Sequence, residues 1–451
     1  MDRRSFLKRA GVASAAAAIP FRAFLARAQE PTHQGGVRRG QTAGYGPLFE
    51  TLDQTTGLPL LTLPEGFRYL SFGWTGDPLA TGAPTPGSHD GMAAFPAGRG
   101  LTRLVRNHER GQGTSFAPAS ATYDTRASGG TTTSLFDTHT GELVSAEASM
   151  SGTIRNCAGG MTPWGTWLTC EETMDTLGQP HGYVFEVPVD GWGDPTPLRD
   201  MGRLSHEAVA VDPATGYVYE TEDAGLRSGF YRFVPHVAGT LAQGGELYML
   251  KVRGSSNANL GASYPNGATF DVAWVRIMTP DNPAAGTPGT FVWAQGQALG
   301  AATFARLEGC WYGNDAKIYI VSTNGGIGQG QIWEYSPADE TIELLFESPG
   351  AAVLNAPDNI CVSPRGGLVL CEDGSGEEFL HGLTINGEIF PFAKNAVVLP
   401  EAHNAAVPAG NYTGSEWAGA CYSPDGKWLF ANIQSPGITF AITGPWKSGA
   451  L

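Results

Sequence analysis

The sequence predicts an all-β fold, a six-bladed β-propeller. Three observations carry this expectation. Gly (62) and Pro (31) make up about a fifth of the 451 residues, a composition suited to many short strands joined by tight turns. One layout of short apolar runs, separated by turns rich in Pro, Asp or Gly, recurs six times along the chain. Repeated antiparallel sheets of this size stack radially around a channel.

Each repeat opens with a polar or acidic residue, enters an apolar strand, turns, and returns along a second strand that ends in polar residues. The first and loosest copy runs Asp90-Gly-Met-Ala-Ala-Phe-Pro, then Leu101 to Asn107-His108-Glu109. The second runs Cys157-Ala-Gly-Gly-Met-Thr-Pro-Trp164, then Thr166-Trp167-Leu-Thr-Cys170-Glu171-Glu172. The third runs Glu207-Ala-Val-Ala-Val-Asp-Pro-Ala-Thr-Gly216, then Tyr217-Val-Tyr-Glu-Thr-Glu222-Asp223. The fourth opens at Glu308-Gly-Cys-Trp-Tyr and returns along Lys317-Ile-Tyr-Ile-Val-Ser322. The fifth opens at Asp358-Asn359-Ile-Cys-Val and returns to Cys371-Glu372-Asp373. The sixth opens at Glu416-Trp-Ala-Gly-Ala-Cys and returns along Lys427-Trp-Leu-Phe-Ala-Asn432. Cys157 to Glu171, Glu308 to Ser322 and Asp358 to Glu372 each span 14 positions, and Glu207 to Glu222 spans 15. A hairpin of that length sets the opening residue beside the closing acid, on one rim of the sheet. Asp90, Cys157, Glu207, Glu308, Asp358 and Glu416 then ring one channel mouth, with Glu416 only closing the ring. The closing residues Asn107, Glu109, Glu171, Glu222, Asp223, Glu372 and Asp373 crowd the same rim. Phe67-Arg-Tyr-Leu-Ser-Phe is expected to supply an outer strand to the last blade, and residues 236–300 an insertion beside the site. Trp164, Trp167 and Trp417 read as packing between blades.

The formal net charge of −15 argues against nucleic acid as a partner. Residues 1–28 read as a twin-arginine export signal: Arg3-Arg4-Ser5-Phe6-Leu7-Lys8, a weakly apolar run, and Ala26-Arg27-Ala28 as cleavage site. The expected mature protein is a periplasmic or secreted single domain, 29–451, carried by the twin-arginine export machinery. No later stretch holds 18 consecutive apolar residues, so no stable membrane insertion is expected. The six cysteines fit no zinc spacing.

Many carboxylates at one mouth repel each other and hold protons unless cations intervene. Oxygen-rich sites suit hard cations such as Ca²⁺, and a thiolate at Cys157 adds a softer ligand suited to a transition metal. Adjacent cations clamp an anionic substrate. Arg306 lies two residues before Glu308, which on a strand puts both on one side. Its planar guanidinium suits bidentate phosphate recognition. No Ser, Thr or Cys stands beside a base as an evident nucleophile, which leaves an oxo or hydroxo group as the attacking oxygen.

Asn156-Cys157-Ala-Gly-Gly-Met-Thr-Pro-Trp164-Gly-Thr-Trp167-Leu-Thr-Cys170-Glu171-Glu172 resembles the hallmark of the PhoX-type alkaline phosphatases. So do Arg106-Asn107-His108-Glu109, Ser205-His206-Glu207, Thr221-Glu222-Asp223, Arg306-Leu-Glu308-Gly, Asp358-Asn359-Ile, Cys371-Glu372-Asp373 and the ending that runs from Phe430 to Trp446. The likeness keeps its order over roughly residues 60–446. It implies an exported phosphomonoesterase serving phosphate acquisition, with small phosphate esters as substrates and a monomeric chain. It also implies two iron (Fe³⁺) and about three calcium ions (Ca²⁺) around a bridging oxo group. Carried over by motif, Cys157 ligates iron, Arg306 binds phosphate, and Glu308 binds metal. Glu171, Glu207, Glu222, Asp223, Glu372 and Asp373 are the further ligands implied, with Asp90, Asn107, Glu109, Glu172, Asp358 and Asn359 as secondary candidates. The chain is shorter than the best-known members, which implies reduced outer loops. Two other readings stay open at this level: a calcium-dependent propeller lactonase or phosphotriesterase, and a non-catalytic secreted binding propeller.

Overall fold

The computed structural model describes residues 43–282 and 290–451. The expected export signal, 1–28, lies outside the described residues. The fold is all-β and propeller-like. Three N-terminal strands, β1 (Leu48–Thr51), β2 (Leu61–Pro64) and β3 (Arg68–Phe72), precede the first consecutive sheet. That sheet is β4 (His89–Pro96), β5 (Leu101–His108), β6 (Gly129–Asp137) and β7 (Glu142–Thr153), in spatial order. A three-stranded sheet follows, β8 (Asn156–Met161), β9 (Thr166–Glu171) and β10 (Val184–Pro188). Next come β11 (His206–Val211), β12 (Val218–Glu222), β13 (Phe230–Pro235), β14 (Gly245–Val252) and β15 (Thr269–Arg276). The short helix α1 (Val292–Ala298) leads to β16 (Leu307–Tyr312), β17 (Ile318–Ser322), β18 (Gln331–Ser336) and β19 (Thr341–Glu347). The next sheet is β20 (Pro357–Val362), β21 (Leu368–Glu372), β22 (Phe379–Leu383) and β23 (Ile389–Asn395). After the small pair β24 (Val398–Leu399) and β25 (Gly410–Asn411) come β26 (Trp417–Tyr422), β27 (Leu429–Ile433) and β28 (Ile438–Thr443).

Local chemistry fixes the hairpins. Between β11 and β12, Asp212 accepts the Ala214 N–H at 2.9 Å and the Thr215 hydroxyl at 2.7 Å. Gly216 then takes φ +72°, a left-handed turn position that suits glycine.

The N-terminal strands complete sheets built from the far end of the chain. β3 pairs with β28, from Arg68 opposite Thr443 to Phe72 opposite Thr439, as expected for Phe67–Phe72. β2 pairs with β23, and β1 with β2. The segment 236–300, expected as an insertion, contributes two strands. β14 is the outer strand on β13, and β15 joins β14 to β19 of the following sheet. The alternating apolar residues of Leu247–Val252 bury Leu247, Met249 and Leu250, and that burial makes the segment part of the fold.

The first strands β4, β8, β11, β16, β20 and β26 each pack on the next, and β26 packs back on β4. Only about 20 Å³ of space remains among them, lined by Gly91, Ala158, Ala208, Gly309, Asn359 and Gly419 among others. That holds about one water, so the axis is a floor. Small residues allow it: a Cβ on Gly91 would sit 2.6 Å from the Ala158 Cα, and one on Gly309 2.7 Å from the Asp358 carbonyl oxygen. Trp167 and Trp417 are buried between sheets and Trp164 is half-buried, in keeping with packing roles. All six cysteines are buried and free. Among the described residues no helix is long and apolar enough to cross a membrane.

Candidate metal centre

One backbone device recurs six times above the floor. The residue just ahead of each first strand accepts, at its carbonyl, the N–H of the residue just past the second strand. Ser88 accepts from Glu109 (2.9 Å), Arg155 from Glu172 (2.9 Å), Ser205 from Asp223 (3.1 Å), Arg306 from Thr323 (2.8 Å), Ala356 from Asp373 (2.9 Å) and Glu416 from Gln434 (3.3 Å). Each first strand then carries a register shift near its start, between His89 and Met92, Asn156 and Gly159, His206 and Val209, Leu307 and Cys310, Pro357 and Ile360, and Ala418 and Cys421. Such bulges re-aim side chains. Here the second residue of the strand, Asp90, Cys157, Glu207, Glu308 or Asp358, meets the residue past the neighbouring second strand at the mouth.

The ligand-type atoms fall into four overlapping groups, in each of which all lie within 4.8 Å of one another: Cys157, Glu172 and Glu207; Glu207, Glu308 and Asp358; Asp358, Asp373 and Glu416; and Asp90, Glu109 and Glu416. Shared members chain them into one arc. Glu207 belongs to two groups, as do Asp358 and Glu416. The Cys157 thiol lies 3.1 Å from Glu207 Oε2. Gln434 donates to Glu109 at 2.7 Å.

Burial dominates the electrostatics, and like charge adds to it. The carboxyls of Asp90, Glu207 and Glu308 are pushed well above the usual range, first by desolvation and then by Glu109, by Glu308 and by Asp358 respectively. Burial and then Asp373 raise Asp358 to about 8. Burial and then the hydrogen bond with Asp373 raise Glu416 to about 12. Glu172 rises to about 7, through burial and then Glu109, although Arg155 and Arg306 oppose the rise. The Cys157 thiol is raised by burial, then by Glu207. Without cations the arc therefore holds protons. A softer thiolate at one end and oxygen donors along the rest fit a transition metal beside hard cations.

A pH dependence follows for the metal-free protein. Glu172 and Asp358 titrate near the ordinary carboxyl values of 4.5 and 3.8 when unfolded, and near 7 and 8 when folded. Between those limits the folded state binds more protons, so stability falls as pH rises. With chelator present, the melting temperature is expected to be lower at pH 9 than at pH 5, and bound cations should flatten that slope. Equal melting at both pH values would contradict this account of the arc.

Arg306 stands at the rim, 40% exposed at its side chain, with Nε 2.9 Å from Asp223 Oδ2 and Nη2 2.7 Å from Glu308 Oε1. The family model described as alkaline phosphatase PhoX matches residues 43–147 and 121–437. The chain belongs to the PhoX alkaline phosphatase family. It is accordingly a phosphatase, a phosphomonoesterase by class, which answers the lactonase and binding-module alternatives. Among solved structures of similar fold is Pseudomonas fluorescens PhoX in complex with vanadate, a transition state analogue. It is 17% identical, over 87% of this chain and 97% of that one, at a TM-score of 0.62. A virginiamycin B lyase from Staphylococcus aureus (13% identity, 84% and 99% covered, TM-score 0.40) and a gluconolactonase from Xanthomonas campestris (12%, 89% and 98%, 0.42) resemble it more distantly. No curated protein matches the chain.

Within this PhoX-family chain the structure brings Cys157, Glu207, Glu308 and Asp373 to the arc, with Asp90, Glu109, Glu172 and Asp358 of the secondary set. It places Glu171, Glu222 and Glu372 outside the four groups. The pairing is offset by one residue: Asn156, not Cys157, lies opposite Glu171, His206 opposite Glu222, and Pro357 opposite Glu372. The second acid of each pair therefore faces the mouth, and the first turns into the sheet. Glu171 accepts from Ile154 N (3.0 Å), His181 Nδ1 (2.6 Å), Gly182 N (2.8 Å) and Tyr183 N (3.2 Å). Glu372 accepts from Asn355 N (2.7 Å), Phe379 N (3.0 Å) and His381 Nε2 (3.1 Å). Glu222 is buried and accepts from the Tyr231 hydroxyl.

Three further predicted residues make protein contacts near the mouth. Asp223 anchors Arg306 and lies outside the four groups. Asn107 braces the backbone under Cys157, donating to the Ala158 carbonyl at 2.7 Å and accepting from Trp167 Nε1 and the Thr169 hydroxyl, both at 2.9 Å. Asn359 accepts from Gly419 N at 2.7 Å and donates to Asp358 at 3.1 Å. Sequence reasoning gave Glu416 only a closing role and overlooked Gln434 and Arg155. The usable signal was the position after each second strand, which reads Glu109, Glu172, Asp223, Thr323, Asp373 and Gln434.

Proposed function

We propose that the chain is an exported phosphomonoesterase with six blades, whose mouth holds iron and calcium in the arc of Cys157 and its carboxylates. The count of six rests on the ring of first strands and the six repeated rim hydrogen bonds. Cys157, Glu172 and Glu207 would hold the softer metal. Glu308, Asp358, Asp373, Glu416, Asp90 and Glu109 would hold hard cations. When bound, such cations neutralise the phosphoryl oxygens and stabilise the charge reaching the leaving oxygen in an in-line displacement. The observation that carries this reading is the arc itself: nine ligand-bearing side chains in overlapping groups, largely withdrawn from solvent.

The chain's own residues bind and orient the substrate. The Arg306 guanidinium has five N–H donors. Asp223 and Glu308 hold two edges of it, leaving donors for the oxygens of a phosphate ester. That anchoring sets the fork in one orientation before substrate arrives, which is how pre-placed donors lower a barrier. Export through the twin-arginine route, as the N-terminal residues suggest, would deliver the chain already folded around its metals. The test is hydrolysis of p-nitrophenyl phosphate at alkaline pH by the purified full chain. Turnover inhibited by orthovanadate is expected, and no turnover of any phosphate monoester by metal-loaded protein would overturn the reading.

A further inference from the structure

Arg155 and Arg306 occupy the same place in two repeats. Each directly precedes a bulged first strand, β8 or β16, and each has φ +48°. That left-handed value is uncommon for a residue with a side chain. Each carbonyl accepts from the residue just past the second strand, Glu172 at 2.9 Å and Thr323 at 2.8 Å. Each N–H is also tied down, Arg155 to the Arg110 carbonyl at 2.8 Å and Arg306 to the Gly225 carbonyl at 2.7 Å. Of the six pre-strand positions, Ser88, Arg155, Ser205, Arg306, Ala356 and Glu416, only these two carry a cation.

Their side chains differ in one respect. Arg306 is anchored by Asp223 and Glu308. Arg155 is exposed, and among the described residues no hydrogen bond or ion pair holds its guanidinium. Its charge nonetheless acts on Glu109 and Glu172, and Glu172 also responds to Arg306. Arg155 lies two residues before Cys157 with its carbonyl bonded to Glu172, and Arg306 lies two residues before Glu308, so both border the arc. We propose that Arg155 is a second phosphate-contacting residue, closing on the phosphoryl oxygens of a bound monoester beside the pre-anchored Arg306, one blade removed from it around the ring. This rests on the phosphatase reading above. An anchored fork and a free one divide the work: Arg306 is placed before binding, and Arg155 orders upon it. Its contribution should therefore fall on affinity for the phosphate group more than on turnover.

The test uses the full metal-loaded chain and two variants. Arg155→Asn keeps a residue that tolerates the left-handed conformation, and Arg155→Lys keeps the charge without the fork. We expect Arg155→Asn to raise KM for p-nitrophenyl phosphate and the dissociation constant of inorganic phosphate by about tenfold, the scale of one charge-assisted hydrogen bond. Metal content should stay unchanged and kcat nearly so, with Arg155→Lys recovering part of the loss. Unchanged phosphate affinity would overturn the proposal. So would loss of metal with equal loss in kcat, which would assign Arg155 to balancing the charge of Glu109 and Glu172. Phosphate binding by calorimetry needs no turnover, so it judges Arg155 even if the wild-type chain hydrolyses no monoester, an outcome that would sink the phosphatase reading separately.

Discussion

Glu207→Gln is expected to remove phosphomonoester hydrolysis and bound metal together, while making the metal-free protein more stable. Both effects have one origin. Glu207 is buried, sits in two of the four ligand groups, and lies beside the Cys157 thiol and the Glu308 carboxylate. With cations present its charge is needed twice. The loss should exceed the 10–100-fold, roughly, that even an outer partner of a ligand costs in metal affinity or activity. Without cations the same charge is a liability, because burial and neighbouring acids oppose its ionisation. Glutamine keeps the shape and removes the charge, so the melting temperature of the chelated variant at alkaline pH should rise above that of chelated wild type. Metal analysis with thermal melts of both forms reads the two effects. Retained metal and activity would remove Glu207 from the centre.

Arg306→Ala is expected to lower kcat/KM for p-nitrophenyl phosphate by about 10²–10³, the usual cost of deleting one pre-placed donor from a site where charge develops. Asp223 and Glu308 aim this guanidinium at 2.9 and 2.7 Å. Deleting it also leaves those acids without their cation, so Arg306→Lys is the necessary companion. Lysine keeps a charge near Glu308 but not the fork, and should retain metal while recovering only a small part of the activity. Kinetics with metal content on both variants separates the roles. If lysine restores full activity, bidentate clamping is not what Arg306 contributes.

Much of this was legible in the sequence, because hairpin length and turn chemistry are local. Five of the six opening positions and the convergence of Asp90, Cys157, Glu207, Glu308 and Asp358 follow from counting along repeats, and the apolar run at Arg68–Phe72 marks an outer strand. What was not legible is register. A bulge adds one residue to the first strand, and that single offset decides whether Glu171 or Glu172 faces the mouth. Simple spacing favoured the first acid of each pair, and hydrogen bonds from distant residues such as His181 and His381 claim it instead. Glu416 was misjudged for a related reason. It was aligned with Glu308, but its carbonyl bond to Gln434 places it in the position of Arg306, from which its carboxylate joins the groups of both Asp373 and Asp90. The apolar runs that form β14 and β15 are visible in the sequence, but their partners are not, because β15 pairs across to β19, where sequence distance says little.

The most direct test of the central claim is metal analysis of the purified full chain, with p-nitrophenyl phosphate hydrolysis measured on the same sample before and after chelation. The account predicts bound iron together with calcium, turnover that disappears as the metals are removed, and recovery when they are returned. Full turnover by a sample stripped of metal would contradict it.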